Sequence, residues 1–369
     1  MSGPAGAHDG PDEAMPVAVY QRPGTVAVEQ RPVPVPAAGE VLVEVSHCGI
    51  CGSDLHMMVE GWGQAGFVGG HEFTGVIAAV GPAVEGWAVG DRIVGGESPK
   101  CGECRACRAR RPSQCERRGT MQDSGAEDHG AFARYTVLDA RSLLRLPDGM
   151  SSRVGALAEP LAVALHGITR GAVGPDDSVM VIGAGPIGAL TIAALVARDL
   201  GPVTVVEPGD ARRQLAADLG ATRVLHPDEL ELFPMWEPDR IADDAVDVVL
   251  ECSGKKVAIE AGFNQLRRGG RLVMVGAGIE PPTFDPNRMI LCELSVCGSF
   301  IYDHDGFEQA LALLGSGLLR TDLLIDPVDV PLDGLVDAMA DLAAGRIAGK
   351  AMVVPYLARE LTPATETPS

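Results

Sequence analysis

The sequence predicts a two-lobed α/β protein in which an all-β lobe precedes a doubly wound parallel sheet. Three observations predict it. A chain of 369 residues exceeds the ~250 to 300 residues at which a single core usually stops growing. Up to about residue 145 short β-like runs are broken by Gly and Pro, and after about residue 160 strands alternate with amphipathic helices, the texture of a parallel sheet covered on both faces. With 46% hydrophobic and 22% charged residues the composition is that of a soluble globular protein and excludes disorder over most of the length.

In chain order, residues 1–14 are Gly, Ala, Pro and acid and are expected to be a disordered leader, with Met15 a plausible alternative start. A first strand opens with the apolar run 17–19, and further β-runs follow at 41–45, 75–80 and Arg92–Val94. The second texture supplies strands at Val179–Ile182, Val203–Val206, Arg223–Leu225, 246–250 and 271–275, with a helix over 211–219 closed by Gly220. Beyond residue 300 come two helical stretches and a strand, 351–354, expected to return to the first lobe.

Fifty acidic residues against thirty Lys plus Arg give a formal charge of -20, which argues against nucleic acid and anionic membrane as partners. The uncharged run 179–197 reaches transmembrane length, but Gly183, Gly185, Pro186 and Gly188 near its start make it strand, turn and helix. The N-terminus has neither a basic flank nor an apolar core, so it does not read as a secretory signal, and a cytoplasmic location is expected. Nine cysteines, an odd number, argue against a disulfide framework and for metal or catalytic use. Cys252, Cys292 and Cys297 are scattered and look like small buried hydrophobes.

Three motifs carry chemistry. The stretch GAGPIG, from Gly183 through Pro186 and Ile187 to Gly188, follows an apolar strand and opens a helix, as a dinucleotide pyrophosphate requires. Glu207, 19 residues beyond Gly188, stands where a carboxylate accepts hydrogen bonds from the adenosine ribose, which favours NAD. Arg212 and Arg213 keep NADP open. Cys101, Cys104, Cys107 and Cys115 follow CxxCxxCx7C, a spacing that lets four thiolates converge on one closed, structural Zn(II). An Fe–S cluster could use the same four, but nothing else in the chain suggests electron transfer. Finally CGICGSDLH, from Cys48 to His56, and GHE at 70–72 bring a thiol, an imidazole and a carboxylate within a short stretch, enough for three ligands of a catalytic zinc with one position open.

These stretches, with GHEFTGVIAAVG, VGDRIV and AEPLAVALHG in the same order, resemble the zinc-dependent medium-chain dehydrogenase/reductase family from about Met15 to about Pro355. The resemblance implies a GroES-like β-rich catalytic domain from 15–160 and 302–369 and a Rossmann cofactor domain over 161–301, with the active site between them. It implies Cys51 and His71 as catalytic zinc ligands, Cys51 being preferred over Cys48. Glu72 is implied beside or on the metal. Glu159 stands where alcohol dehydrogenases place a second cysteine, as in the sorbitol and threonine dehydrogenase branches, and would reach the metal directly or through water. Asp54 resembles the carboxylate that orients the zinc-bound histidine, and Ser53 and His56 match the proton relay through the cofactor ribose.

The implied function is hydride transfer between a secondary alcohol, diol or polyol and NAD, with two zinc ions per chain, a small-molecule alcohol or carbonyl as partner, and a homo-oligomer, dimer or tetramer. Ile301 replaces an arginine that holds polyol hydroxyls in similar sorbitol dehydrogenases, which favours a less polar secondary alcohol or vicinal diol. Arg134 replaces an acid common in the family phrase and receives no role from the sequence. Two rivals are a zinc-less enone or quinone reductase of the same plan, and a non-enzymatic binding or sensing protein with the cysteine loop as a zinc-held knob.

Overall fold

The computed structural model describes residues 14–95, 100–117, 130–234 and 236–356. The leader, apart from Ala14, therefore lies outside the described residues, as does the tail after residue 356. Strands β1 (Ala14–Arg22) and β2 (Thr25–Pro32) make an antiparallel hairpin across Pro23 and Gly24, the first strand opening three residues before the apolar run that predicts it.

The valine-rich β3 (Glu40–Gly49) is the spine of a seven-stranded sheet. Along one edge it pairs antiparallel with β4 (Glu72–Val80), which is followed outward by β5 (Arg92–Val94) and, later in the chain, β7 (Leu144–Arg145). Its other edge is divided. β6 (Tyr135–Asp139) covers residues 40–44, whereas β15 (Lys350–Val353), with β14 (Ile325–Val330) beyond it, covers residues 48 and 49. A strand from the end of the chain thus holds the segment that enters helix α1 (Gly52–Met58). β3 and β4 are longer than the apolar runs that predict them because His47, Cys48, Glu72 and Thr74 sit on the ladder and interrupt its alternation, with His47 opposite Thr74 and Gly49 opposite Glu72.

The second sheet has six parallel strands in the order β10, β9, β8, β11, β12, β13, that is Arg223–Leu225, Val203–Val206, Val179–Ile182, Val246–Glu251, Leu266–Met274 and Ser295–Gly298. Every residue of β8 is buried, as a parallel strand covered on both faces must be. Helix α2 (Ala158–Arg170) leads into this sheet, and α3 (Pro186–Ala197) and α4 (Asp210–Asp218) follow β8 and β9. α5 (Lys256–Asn264) joins β11 to β12, while α6 (Gly306–Gly315) shares an apolar core with α2 and α3 through Phe307, Ala310, Leu161 and Leu190. The chain turns back between β8 and β11, and such a reversal opens a crevice at the carboxyl ends of the strands. The apolar run 179–197 resolves into β8, a turn and α3, and no described helix is long and apolar enough to cross a membrane. Helix α7 (Leu335–Ala343) packs beside β2 and β15. Of the scattered cysteines only Cys292 is fully buried, and Cys252 and Cys297 are half-buried, a departure from the expectation for them.

Candidate active site

Helix α1 begins at Cys51, which is its N-cap. The Cys51 N–H donates to Asp54 Oδ2 at 2.9 Å, so the carboxylate of the first turn closes the helix end and fixes the cysteine backbone. Asp54 is 2% exposed, and its Oδ1 accepts from Gly70 N–H at 3.3 Å. One buried carboxylate therefore joins α1 to the turn before His71. Burial raises its pKa, opposed by the charge of His71 and by the N–H of Cys51. His71 Nδ1 lies 3.9 Å from Asp54 Oδ1, an ion-pair separation longer than a hydrogen bond. The turn needs glycine at position 70: its φ is +94°, and a Cβ there would stand 2.8 Å from Phe132 N and 2.9 Å from Cys48 Sγ.

One donor atom each from Cys51, His71 and Glu72 lies within 4.8 Å of the others. His71 is 45% exposed in its side chain, whereas Glu72 at the start of β4 is fully buried. Burial opposes the imidazolium of His71, but the Cys51 sulfur, Asp54 and Glu159 raise its pKa well above the ordinary histidine value. Glu159, in the first turn of α2, is 8% exposed and lies outside this cluster while acting on it by charge. Cys48 is buried with its Sγ directed at its neighbour's carbonyl, and burial, then Asp54 and Glu72, push its thiol well up. It has no place in the cluster.

Sequence reading missed Lys350. Its Nζ, 1% exposed, donates to Glu72 Oε1 at 2.7 Å and to the Ile50 carbonyl at 3.1 Å. Glu72 Oε2 lies 2.6 Å from Nζ but receives no hydrogen bond. A buried carboxylate with one oxygen held by Lys350 through charge and without a hydrogen bond, beside a thiol and an imidazole, is a donor set that fits zinc. Gly49 makes room for it, since a Cβ at that position would stand 2.3 Å from Glu72 Oε2. The signal in the sequence was a lone lysine in an apolar strand, KAMVV, which burial makes unusual.

The four-cysteine loop also converges. Cys101 Sγ lies 3.8 Å from Cys107 Sγ and 3.6 Å from Cys115 Sγ, close to the ~3.8 Å edge of a tetrahedron built on Zn–S bonds of about 2.3 Å. The N–H groups of Cys107 and Glu116 bring the Cys104 thiol down to about 6, while burial and the Cys104 side chain push the Cys107 thiol up to about 12.

At the other lobe Gly183 has φ +86° and Gly188 has no room for a Cβ, which would stand 1.8 Å from the Gly183 carbonyl oxygen. Gly185 caps α3 without a side-chain partner, followed by Pro186 at the first helical position and by Ile187, and nothing stands within 3.8 Å of where its Cβ would be. Helix N–H groups without intrahelical partners, with the Arg212 guanidinium 3.8 Å from that Cβ position, fit a pyrophosphate. Glu207, directly after β9, is 4% exposed, and its two oxygens accept from Ala184 N–H at 2.7 Å and Gly209 N–H at 2.9 Å. It braces the glycine turn from the end of β9. Arg212 Nη2 donates to the carbonyls of Leu342 at 2.7 Å and Ile347 at 3.3 Å, so this side chain ties the cofactor turn to the segment that enters β15. Arg213 bonds to the Glu207 and Pro208 carbonyls and to Asp210.

Ser53 and His56 lie three residues apart on α1 and so share a face. Ile301 has φ +47° and packs against the core of the second sheet. Arg134, unassigned from sequence, pairs with Glu44 at 3.1 Å across the first sheet.

A β-rich lobe with a Cys, His and Glu cluster beside a nucleotide-type sheet defines a metal-dependent dehydrogenase. Residues 37–148 match the alcohol dehydrogenase GroES-like domain and residues 186–316 the zinc-binding dehydrogenase domain. The chain is 35% identical over 324 residues to the 2-dehydro-3-deoxy-L-galactonate 5-dehydrogenase of Pseudoalteromonas atlantica, covering 86% of this chain and 92% of that one. Among solved structures it is similar to the 2R,3R-butanediol dehydrogenase of Bacillus subtilis, with a TM-score of 0.79, 30% identity and coverage of 92% and 99%. A zinc-binding dehydrogenase of Sinorhizobium meliloti 1021 bound to NADP gives a TM-score of 0.79 at 29% identity, with coverage of 93% and 99%. The chain belongs to the zinc-dependent medium-chain dehydrogenase/reductase family.

The buried Lys350–Glu72 pair yields a stability prediction. Burial works against the Lys350 charge, but Glu72, then Cys51 and Glu159, raise its pKa above the ordinary 10.5. Its contribution is therefore complete below about 10.5 and is lost only as pH rises through the raised folded value. Lys350→Met, which strands Glu72 as an unpaired buried charge, should destabilise the zinc-free chain by about 3–5 kcal/mol, and adding Glu72→Gln should recover most of it. Urea midpoints at neutral pH in the presence of a chelator measure both. A Lys350→Met protein as stable as the parent would remove the pair from any structural role.

Proposed function

We propose that this chain is an NAD-linked, zinc-dependent dehydrogenase that oxidises a secondary alcohol, vicinal diol or polyol, or runs the reaction in reverse. The observation that carries the reading is the convergence of Cys51, His71 and Glu72 in a lobe joined by Arg212 to the glycine turn of the cofactor sheet. On this reading the catalytic lobe comprises 15–160 and 302–369 and the cofactor lobe 161–301. Zinc at the cluster supplies a Lewis acid that acidifies a hydroxyl, and nicotinamide supplies the hydride acceptor.

The side chains do the remaining work. Ser53 takes the proton leaving the substrate hydroxyl and gives up its own toward His56, the two being bridged by the ribose when a cofactor is bound. Lys350 offsets the Glu72 charge, and Asp54 holds α1 and the Gly70 turn in register, so that the ligands are fixed before substrate arrives. Glu159 acts on the cluster by charge, and on this reading it reaches the metal directly or through a water. Ile301, in the stretch where similar sorbitol dehydrogenases carry arginine, offers no charge to a sugar alcohol, which favours a less polar secondary alcohol or vicinal diol. The similarity to the butanediol dehydrogenase supports the same class.

For the metal, the proposal is two zinc ions per chain. Cys104→Ser should lose one zinc and much of the stability, because a closed site contributes folding energy. Cys51→Ser should lose turnover and remain folded. Elemental analysis with thermal unfolding checks both, and an active Cys51→Ser enzyme would contradict the assignment of the cluster.

For the cofactor, the Glu207 carboxylate can accept from a ribose diol in addition to its two backbone donors, whereas a 2'-phosphate would meet a like charge there. NAD should be preferred. Glu207→Ala should remove the repulsion, move the kcat/KM ratio toward NADP, and weaken both cofactors because the brace on Ala184 and Gly209 goes with it. A parent that prefers NADP, or an unchanged ratio in the variant, would displace Glu207 from the ribose.

A further inference from the structure

The segment that follows α1 closes on His56 from two directions. Glu60 Oε2 lies 2.6 Å from His56 Nδ1, and the Trp62 indole stacks on the imidazole with ring centroids 4.7 Å apart and planes 16° apart. The backbone is arranged to deliver both groups. The N–H groups of Val59 and Glu60 donate to the Leu55 carbonyl, Gly61 turns at φ +85°, and Trp62 N–H returns to the His56 carbonyl at 3.1 Å. A Cβ at position 61 would stand 2.8 Å from Pro23 Cγ, so the turn is also pressed against the β1–β2 hairpin.

A carboxylate only accepts hydrogen bonds. Paired with Glu60, Nδ1 must therefore carry the ring hydrogen, which leaves the lone pair on Nε2 whenever the imidazole is neutral. Among the described residues no other hydrogen bond to this ring is present. We propose that Glu60 is a positioning residue for His56: it fixes the Nδ1–H tautomer, Trp62 fixes the plane of the ring, and Nε2 is thereby the nitrogen that accepts the relayed proton.

The use made of that tautomer rests on the dehydrogenase reading above, whereas the tautomer itself does not. In the relay, one proton leaves the substrate hydroxyl, Ser53 takes it and gives up its own, and the ribose hydroxyls of a bound cofactor would bridge Ser53 to His56. His56 takes the relayed proton at Nε2, becoming an imidazolium with hydrogen on both nitrogens, and then releases the Nε2 proton to water. The Nδ1 hydrogen stays where it is, and Glu60 and the face of Trp62 stabilise the transient charge. Glu60 is thus asked to orient and to stabilise, and it takes up no proton.

The test uses full-length, zinc-loaded protein labelled with 15N-histidine, with His56→Asn identifying the His56 ring signals. At a pH where His56 is neutral, the parent should show a hydrogen-bearing Nδ1 and a bare Nε2. Glu60→Ala should lose this pattern and shift toward the Nε2–H form. Glu60→Gln should keep it, because its amide oxygen still accepts from Nδ1–H. In turnover, Glu60→Ala should lower kcat about tenfold, part of the ~100-fold or more that an acid–base step contributes, with KM for the alcohol unchanged. Glu60→Gln should stay close to the parent.

An unchanged ring pattern in Glu60→Ala, a parent already in the Nε2–H form, or a Glu60→Gln variant as impaired as the alanine would each overturn the proposal. The ring signals require no turnover. A protein with the expected tautomer that oxidises no alcohol would therefore count against the dehydrogenase reading and leave the role of Glu60 in place.

Discussion

The ion pair between Lys350 and Glu72 is the interaction on which the catalytic lobe depends. Two opposite charges, each almost fully buried, sit at the junction of three strands: Glu72 opens β4, Lys350 opens β15, and the Ile50 carbonyl that also receives Lys350 follows β3. Neither charge could stay there alone, because desolvating an unpaired ion costs several kcal/mol. The pair therefore couples the end of the chain to the segment that carries Cys51, across 300 residues of sequence. It also leaves one oxygen without a hydrogen bond on a carboxylate that converges with Cys51 and His71. Strand registry and metal-site geometry are in this way the same constraint.

The remaining parts are organised around that junction by short-range devices. Asp54 spans from the N-cap of α1 to the Gly70 turn, so the thiol and the imidazole cannot move independently. Arg212 crosses from α4 to the carbonyls of Leu342 and Ile347, the second of which is three residues before Lys350. A cofactor at the Gly185 turn would therefore lie against a side chain that reports directly on the lobe holding the metal cluster. Preorganisation of this kind spares the reorganisation cost that an assembling site would incur at each turnover.

Much of this was legible in the sequence, for identifiable reasons. The parallel sheet and the glycine turn could be read because β8 is apolar throughout and is followed at once by GAGPIG. The two clusters that could hold a metal were visible because their members are close in sequence, Cys51 to Glu72 and Cys101 to Cys115. Lys350 could not, since its partner is distant and a single lysine near a strand is ordinarily a surface residue. Glu60 and Trp62 were hidden in a stretch with no periodicity, where only the turn at Gly61 brings them to His56. Arg212 was expected at the cofactor; its Nη1 stands beside the Gly185 turn, and its Nη2 in addition reaches the other lobe, because helix C-terminal carbonyls lie within its reach. Glu207 was expected free to meet a ribose, and its burial against two backbone N–H groups adds a bracing role that spacing alone does not reveal.

The central claim is that Cys51, His71 and Glu72 hold a metal distinct from the one in the cysteine loop. Anomalous diffraction recorded on either side of the zinc absorption edge, from crystals of the enzyme purified without added metal, tests it most directly. The account predicts two peaks. One should be equidistant from the sulfurs of Cys101, Cys104, Cys107 and Cys115 at about 2.3 Å, and the other should lie within coordination distance of Cys51 Sγ and a His71 ring nitrogen. A single peak in the cysteine loop from protein that turns over alcohol, or a second peak away from Cys51 and His71, would contradict it.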